Sequence, residues 1–249
     1  MEVTSNHWPY LRWIAHRGAG KLAPENTLAA FRLGARHGYR MFECDVKLSA
    51  DGVPFLLHDD TLDRTTNGQG VAGEQPWQAL SRLDAGRWHS REFAGEPLPR
   101  LDDIARYCLA HGYFLNIEIK PTPGLERPTG TVVADEAARL WKDAAMPPLL
   151  TSFEPPSLEA AQAAQPLLPR GLLLDQLTEG WLETARQLQC VAIVCRHKLW
   201  NADSVSRAKQ AGFRLLSYTV NDPASARRLI ELGTDGIITD RVDAFRPEG

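Results

Sequence analysis

Short apolar runs alternate with amphipathic stretches along most of this chain. The runs lie at 12–15, 41–46, 114–119, 149–153, 171–174, 191–195, 214–220 and 236–239, and their brevity and β-branched content predict strands. Between them, apolar residues recur at helical spacing. Leu28, Phe31 and Ala35 form one face after Asn26-Thr27, either of which is a good N-cap, and Gly38 ends it. Leu101, Ile104, Ala105, Cys108 and Leu109 follow the i, i+3, i+4, i+7, i+8 pattern up to Gly112. Further helices are predicted near 130–145, 156–165, 179–189, 202–211 and 223–232. The last has Asp222 as N-cap, Pro223 at the first helical position and Gly233 after the end.

Two places break the rhythm. Ser49-Ala50-Asp51-Gly52 has hairpin-turn composition, so 53–57 is read as an arm returning along 41–46 and ending at His58-Asp59. From about 60 to 100 the chain is rich in Gly, Trp, Asp and Arg with no sustained period, which reads as a small insertion after the second strand. With the returning arm set aside, eight strands remain, each joined to the next by a helix-length crossover. That pattern predicts a parallel sheet, and eight βα units predict a closed (β/α)8 TIM barrel. An open doubly wound sheet is disfavoured because no GxGxxG follows the first strand. No linker divides the chain, so residues 1–249 are expected to form one domain.

Composition narrows the class. The 249 residues carry a net charge of −3, with 43% apolar and 24% charged residues, ordinary for a globular protein. There is no basic footprint for nucleic acid and no polybasic segment for an anionic membrane. The run at 190–195 falls far short of the roughly 18 residues that span a bilayer. Residues 1–12 lack the pattern of a signal peptide, so the expected location is cytoplasmic. Cys44, Cys108, Cys190 and Cys195 have no CxxC spacing and read as reduced, buried thiols.

The chemistry gathers at strand ends. Period-two alternation puts Glu43 and Asp45 on one strand face and Cys44 on the other; it likewise groups Asn116, Glu118 and Lys120. Both sets fall at C-terminal strand ends, where barrel active sites sit. Clustered carboxylates repel, and an all-oxygen set suits a hard divalent cation: Mg2+ first, with Ca2+ or Mn2+ as alternatives. His16 ends the first strand, and the hairpin brings position 58 opposite position 44, so His16 and His58 are expected beside the carboxylates as general acid and base, or as ligands. Arg17 and Lys120 add positive charge suited to phosphate oxygens. His7, His37, His89, His111 and His197 lack such a setting. Trp77, Trp88 and Trp200, with Phe153 and Tyr218, are candidates for either a groove or the core. From the residues alone, this is a metal-dependent phosphate-ester site.

The motifs His16-Arg17-Gly18, Pro24-Glu25-Asn26-Thr27, Glu43-x-Asp45, Asp51-Gly52, His58-Asp59, Arg64-Thr65-Thr66, Asn116-x-Glu118-x-Lys120, Tyr218-x-x-Asn221 and Thr239-Asp240 stand in an order that resembles the glycerophosphodiester phosphodiesterase family, cytosolic bacterial type. The resemblance covers residues 8–242. It implies a barrel that uses a divalent cation held by Glu43, Asp45 and Glu118, with catalytic histidines matching His16 and His58 and phosphate-binding residues matching Arg17 and Lys120. The implied reaction releases sn-glycerol 3-phosphate and an alcohol such as choline, ethanolamine or glycerol, with attack by the glycerol 2-hydroxyl and a cyclic phosphate as one route. Two rival readings exist. A phospholipase-type barrel acting on intact lipids would need an apolar rim, and the insertion carries Trp77, Trp88 and Phe93 among many charges. A non-catalytic phosphodiester-binding protein would need damage in the motif set, and none is visible.

Overall fold

The computed structural model describes residues 8–247; His7 lies outside them. Strand β1 (Trp13–Ala15) leads to helix α1 (Leu28–Arg36), then β2 (Met41–Leu48) and β3 (Pro54–Leu56). The short α2 (Trp77–Leu80) lies in the insertion. The remainder alternates regularly: α3 (Leu101–His111), β4 (Phe114–Ile119), α4 (Glu126–Leu140), β5 (Leu149–Ser152), α5 (Pro155–Ala164), β6 (Arg170–Leu174), α6 (Trp181–Gln187), β7 (Ala192–Arg196), α7 (Ala202–Gln210), β8 (Arg214–Tyr218), α8 (Pro223–Glu231) and β9 (Gly236–Thr239).

The strand order is β1-β9-β8-β7-β6-β5-β4-β2-β3, and β1 also pairs with β2 through Ala15 and Phe42. That pairing closes the parallel strands into a (β/α)8 barrel; β3 is the antiparallel hairpin arm outside it, with Val46 opposite Leu56. Strand alternation divides the apolar residues between two sides. Ile14, Met41, Leu149, Leu173, Val194, Leu216 and Ile238 fill the barrel interior. Cys44, Ile117 and Ile119 join the layer between barrel and helices, with Phe31, Ile104 and Val133. Cys44 therefore faces away from the mouth, and all four cysteines are buried and unpaired.

The caps expected from sequence form. Thr27 accepts from the Ala30 amide, and Asp222 accepts from the Ser225 amide at 2.8 Å with Pro223 following. Helix α4 starts at Glu126 rather than 130, since Pro128 falls in the first turn, where an amide has no intrahelical partner to lose. Leu62, Leu80 and Leu98 of the insertion build a small core with Phe55 and Leu57 of the hairpin arm. Trp77 packs on Phe55 with ring centroids 5.9 Å apart, and Trp200 is fully buried against Trp181; neither lines a groove. Trp88 is 38% exposed, while Phe93 packs against the main core, so the insertion presents no broad apolar rim. No helix among the described residues is long and apolar enough to cross a membrane.

Candidate active site

Parallel register determines which carboxylates meet. Glu43 pairs with Asn116 and Asp45 with Glu118 across β2 and β4. The side chains of Glu43, Asp45 and Glu118 converge at the barrel mouth, each offering an oxygen, with these atoms within 4.8 Å of one another. Glu43 and Asp45 are only 3% and 1% exposed.

Such crowding separates their proton affinities. Burial, then the charges of Asp45 and Glu118, pushes Glu43 well above the usual carboxylate range. Burial and Asp45 push Glu118 up to about 7. Burial would raise Asp45 too, but Arg17, His58 and Lys120 outweigh it and hold Asp45 down at about 2. The oxygen Asp45 Oδ1 is buried with no hydrogen-bond partner. Two acids that resist ionisation and one orphaned anionic oxygen, all hard donors in one recess, fit a divalent cation better than any protein group nearby.

The loop after β1 wraps this cluster with strained backbone. Arg17 and Asn26 both adopt positive φ, at 50° and 58°. The strain aims the Arg17 amide at Glu43 Oε2, 3.1 Å away. It also lets the Asn26 carboxamide grip Asp45 twice: Nδ2 donates to Oδ2 at 2.8 Å, and the Asp45 amide donates to Oδ1 at 3.2 Å. Gly20 approaches the Asp240 backbone so closely that a Cβ there would sit 2.2 Å from Asp240 Cα. The Arg17 guanidinium lies between Asp45, with Nε 3.1 Å from Oδ2, and Glu25, to which Nη1 donates at 2.8 Å.

Each of the two histidines has a carboxylate behind it. His16 Nδ1 is 2.6 Å from Asp240 Oδ1, and its Nε2 is 3.8 Å from Glu43 Oε2. Asp240 is gripped by Asn221, whose Nδ2 donates at 2.8 Å and whose Oδ1 accepts the Asp240 amide at 2.9 Å. These bonds overcome burial and hold Asp240 at about 2, so it stays ionised. His58 Nδ1 is 2.7 Å from Asp59 Oδ1, and Lys120 Nζ lies 3.1 Å from His58 Nε2 and donates to Glu118 at 2.9 Å. Burial, reinforced by the Arg17 and Lys120 charges, lowers the His58 pKa despite Asp45 and Asp59. The shift favours the neutral imidazole, and its Nε2 lies on the cavity side beside the Lys120 ammonium.

The structure brings all seven residues singled out from sequence to one rim: His16, Arg17, Glu43, Asp45, His58, Glu118 and Lys120. It adds others that periodicity did not mark. Arg64 donates to both oxygens of Asp59 and both of Glu25, chaining His58 to Arg17 through the start of the insertion. Lys47, fully buried on β2, donates from Nζ to Asp60 Oδ1 at 2.8 Å and to the Lys120 carbonyl at 3.3 Å. It fastens the chain segment just after His58 to the end of β4. The adjacency His58-Asp59 and the position of Asp240 at the end of the last strand were visible signals for the carboxylates behind the two histidines; nothing local marked Lys47. The enclosing cavity, about 370 Å3, is completed by Phe153 and Tyr218.

The glycerophosphoryl diester phosphodiesterase family matches residues 16–244 of this chain. A glycerophosphodiester phosphodiesterase of Caldanaerobacter subterraneus subsp. tengcongensis is 33% identical over 232 residues, covering 91% of this chain and 93% of that one. Among solved structures, an Oleispira antarctica phosphodiesterase in complex with the product sn-glycerol-3-phosphate is 35% identical, with a TM-score of 0.86 over 92% of each chain. A glycerophosphodiester phosphodiesterase of Agrobacterium tumefaciens is 28% identical, with a TM-score of 0.78 over 94% of this chain and 98% of that one.

Proposed function

Because this chain belongs to the glycerophosphoryl diester phosphodiesterase family and is an enzyme of that type, we propose that it hydrolyses small glycerophosphodiesters to sn-glycerol 3-phosphate and an alcohol, with Glu43, Asp45 and Glu118 as the ligands of a divalent cation. The observation that carries the reading is the joint presence of that carboxylate triad and two carboxylate-backed imidazoles around one recess. The product bound by the Oleispira relative supports glycerol 3-phosphate as the retained half. The matched region and the unbroken strand alternation support a single catalytic domain over residues 1–249, with the 60–100 segment as an insertion.

When bound, the cation supplies Lewis-acid polarisation of a phosphoryl oxygen. The protein residues do the rest. Arg17 and Lys120 bind the non-bridging phosphate oxygens and stabilise the charge that builds on them. His16, oriented by Asp240, and His58, oriented by Asp59, divide the proton work. One takes a proton from the attacking hydroxyl or water, and the other returns one to the departing alcohol oxygen as the P–O bond breaks. The neutral state of His58 suits it to the accepting role, with its Nε2 facing the cavity. A soluble diester is favoured over an intact lipid because Trp77 and Phe93, each half-buried, pack against neighbouring apolar clusters rather than standing out together as a rim. A cytoplasmic setting is consistent with the reduced, buried cysteines.

The test is release of sn-glycerol 3-phosphate from glycerophosphocholine, with and without chelator. Turnover is expected only with the cation; chelator-insensitive turnover would overturn the metal assignment, and a preference for phosphatidylcholine vesicles would overturn the substrate class. The same samples test the proton affinities. Glu118, raised to about 7, and Glu43, raised well above the usual carboxylate range, hold protons that a cation must displace. For these two groups the cation-free fold binds more protons than the unfolded chain from the ordinary carboxylate range up to about 7. Their contribution to stability therefore falls as pH rises through that window. The rise in Tm on adding Mg2+ should be small at pH 5.5 and grow through pH 7, a trend measurable by scanning fluorimetry. A rise independent of pH would contradict those shifts.

Lys47 offers a separate test. Lys47→Met replaces a buried charge with a chain of similar volume, so Tm should stay level or increase. Turnover should fall by about tenfold, because the His58 loop loses its tie to β4 and small displacements of a catalytic group are costly. Equal losses of stability and activity would make Lys47 merely structural.

A further inference from the structure

Strand alternation sends one side chain per strand into the top layer of the barrel, and the mouth divides into two halves. Strands β9, β1, β2 and β4, with the hairpin arm β3, contribute at or just after their ends the acids, histidines and Lys120 described above. The other half receives Phe153, Asp175, Arg196 and Tyr218, at or just after the ends of β5 to β8. Leu174 pairs with Cys195 and Arg196 with Tyr218, so Asp175 and Arg196 stand on neighbouring strands at the same level. Both are exposed, and among the described residues neither has an ion-pair partner within 4.0 Å.

These residues also line a second cavity, about 480 Å3, which shares Asp175, Arg196, Tyr218 and Thr219 with the catalytic one. Its outer wall is the turn His197–Leu199. That turn is fastened from behind: Arg228 donates to the carbonyls of His197 at 2.7 Å and Trp200 at 2.6 Å. Lys198 likewise has no ion-pair partner among the described residues. The side cavity is thus a braced recess with two cations and one carboxylate that have no ion-pair partner among the described residues, and with the Tyr218 ring, sharing its inner wall with the catalytic recess.

We propose that this side cavity receives the departing alcohol and favours a zwitterionic head group of the serine type, whose ammonium meets Asp175 and whose carboxylate meets Arg196 and Lys198. The glycerol arm is uncharged and gains little from a wall of opposite charges, whereas an amino-acid alcohol satisfies both signs at once. Choline and ethanolamine satisfy only Asp175 and leave Arg196 and Lys198 without a matching anion; a second glycerol satisfies neither sign. The inference rests on the diester-hydrolase reading above.

The test compares kcat/KM for glycerophosphoserine, glycerophosphoethanolamine and glycerophosphoglycerol in the wild-type enzyme, Arg196→Gln and Asp175→Asn, with Tm measured for each. The wild type is expected to favour the serine diester over the glycerol diester by about tenfold or more, the effect of a charge-assisted hydrogen bond. Arg196→Gln should lower the serine-to-glycerol ratio by about tenfold, mostly through KM. Asp175→Asn should lower both amine substrates relative to the glycerol diester. A serine-to-glycerol ratio unchanged in Arg196→Gln, or a wild type that disfavours serine, overturns the proposal while leaving the hydrolase reading intact. Hydrolysis of none of the three diesters overturns both.

Discussion

Replacing Glu118 with glutamine is expected to lower kcat/KM for a glycerophosphodiester by about a thousandfold at ordinary Mg2+ concentrations. Glutamine keeps the length of the side chain and an oxygen donor but removes one of three negative charges from the recess. A hard dication is held chiefly by charge, so affinity drops first, and with it the electrostatic stabilisation of the phosphoryl oxygens. A thousandfold loss corresponds to about 4 kcal/mol of barrier, within what removal of one oriented electrostatic contact costs. Two readouts separate this from simple misfolding. The Mg2+-induced rise in Tm should vanish or require much higher cation, and activity should partly return at high Mg2+. Full activity at ordinary Mg2+ would exclude Glu118 as a ligand. Lys120 would also lose the negative charge of its 2.9 Å partner, so Lys120→Ala is a useful companion: it should slow turnover while sparing the cation-induced Tm shift.

His16→Ala should cost between a hundredfold and ten-thousandfold in kcat, the usual worth of a positioned acid or base, with the Mg2+ response of Tm retained. Asp240→Asn should reproduce part of that loss, since it leaves His16 in place but removes the ionised partner 2.6 Å from Nδ1. The leaving group then identifies the role. A glycerophosphodiester of p-nitrophenol departs without needing a proton, so it should rescue whichever histidine variant lacks the acid and leave the other slow. Rescue of His16→Ala with no rescue of His58→Ala would make His58 the base, in agreement with its lowered pKa and its Nε2 facing the cavity. Unimpaired turnover of the ordinary diester by His16→Ala would remove it from the mechanism.

Much of the site was legible because it lies on strands. A period of two is rigid, so Glu43-x-Asp45 and Asn116-x-Glu118-x-Lys120 declare their shared faces without any tertiary information. The hairpin was legible too, since a turn at Asp51-Gly52 fixes its register; Val46 opposite Leu56 implies position 58 opposite 44. Residues on loops gave less away. Asn26 reads as a helix start, and it does immediately precede the Thr27 cap, yet its carboxamide also clamps Asp45 from a left-handed backbone that no local pattern announces. Arg64, inside the aperiodic segment, links its neighbour Asp59 to Glu25, which lies 39 positions before Arg64 in the chain. Lys47 has a strand's alternation but a buried end, and only the fold reveals what it holds.

Taken alone, the amino-acid order determined the barrel, its hairpin, the faces of its strands and the residue types gathered at their ends, because hydrophobic period and turn chemistry act over a few residues. Which oxygens share one recess, which carboxylate backs which imidazole and which charges face one another without partners were decided by barrel closure. His16 and Asp240 are 224 positions apart in the chain and 2.6 Å apart in space. No short-range signal spans that separation; only the pairing of the first strand with the last brings them together.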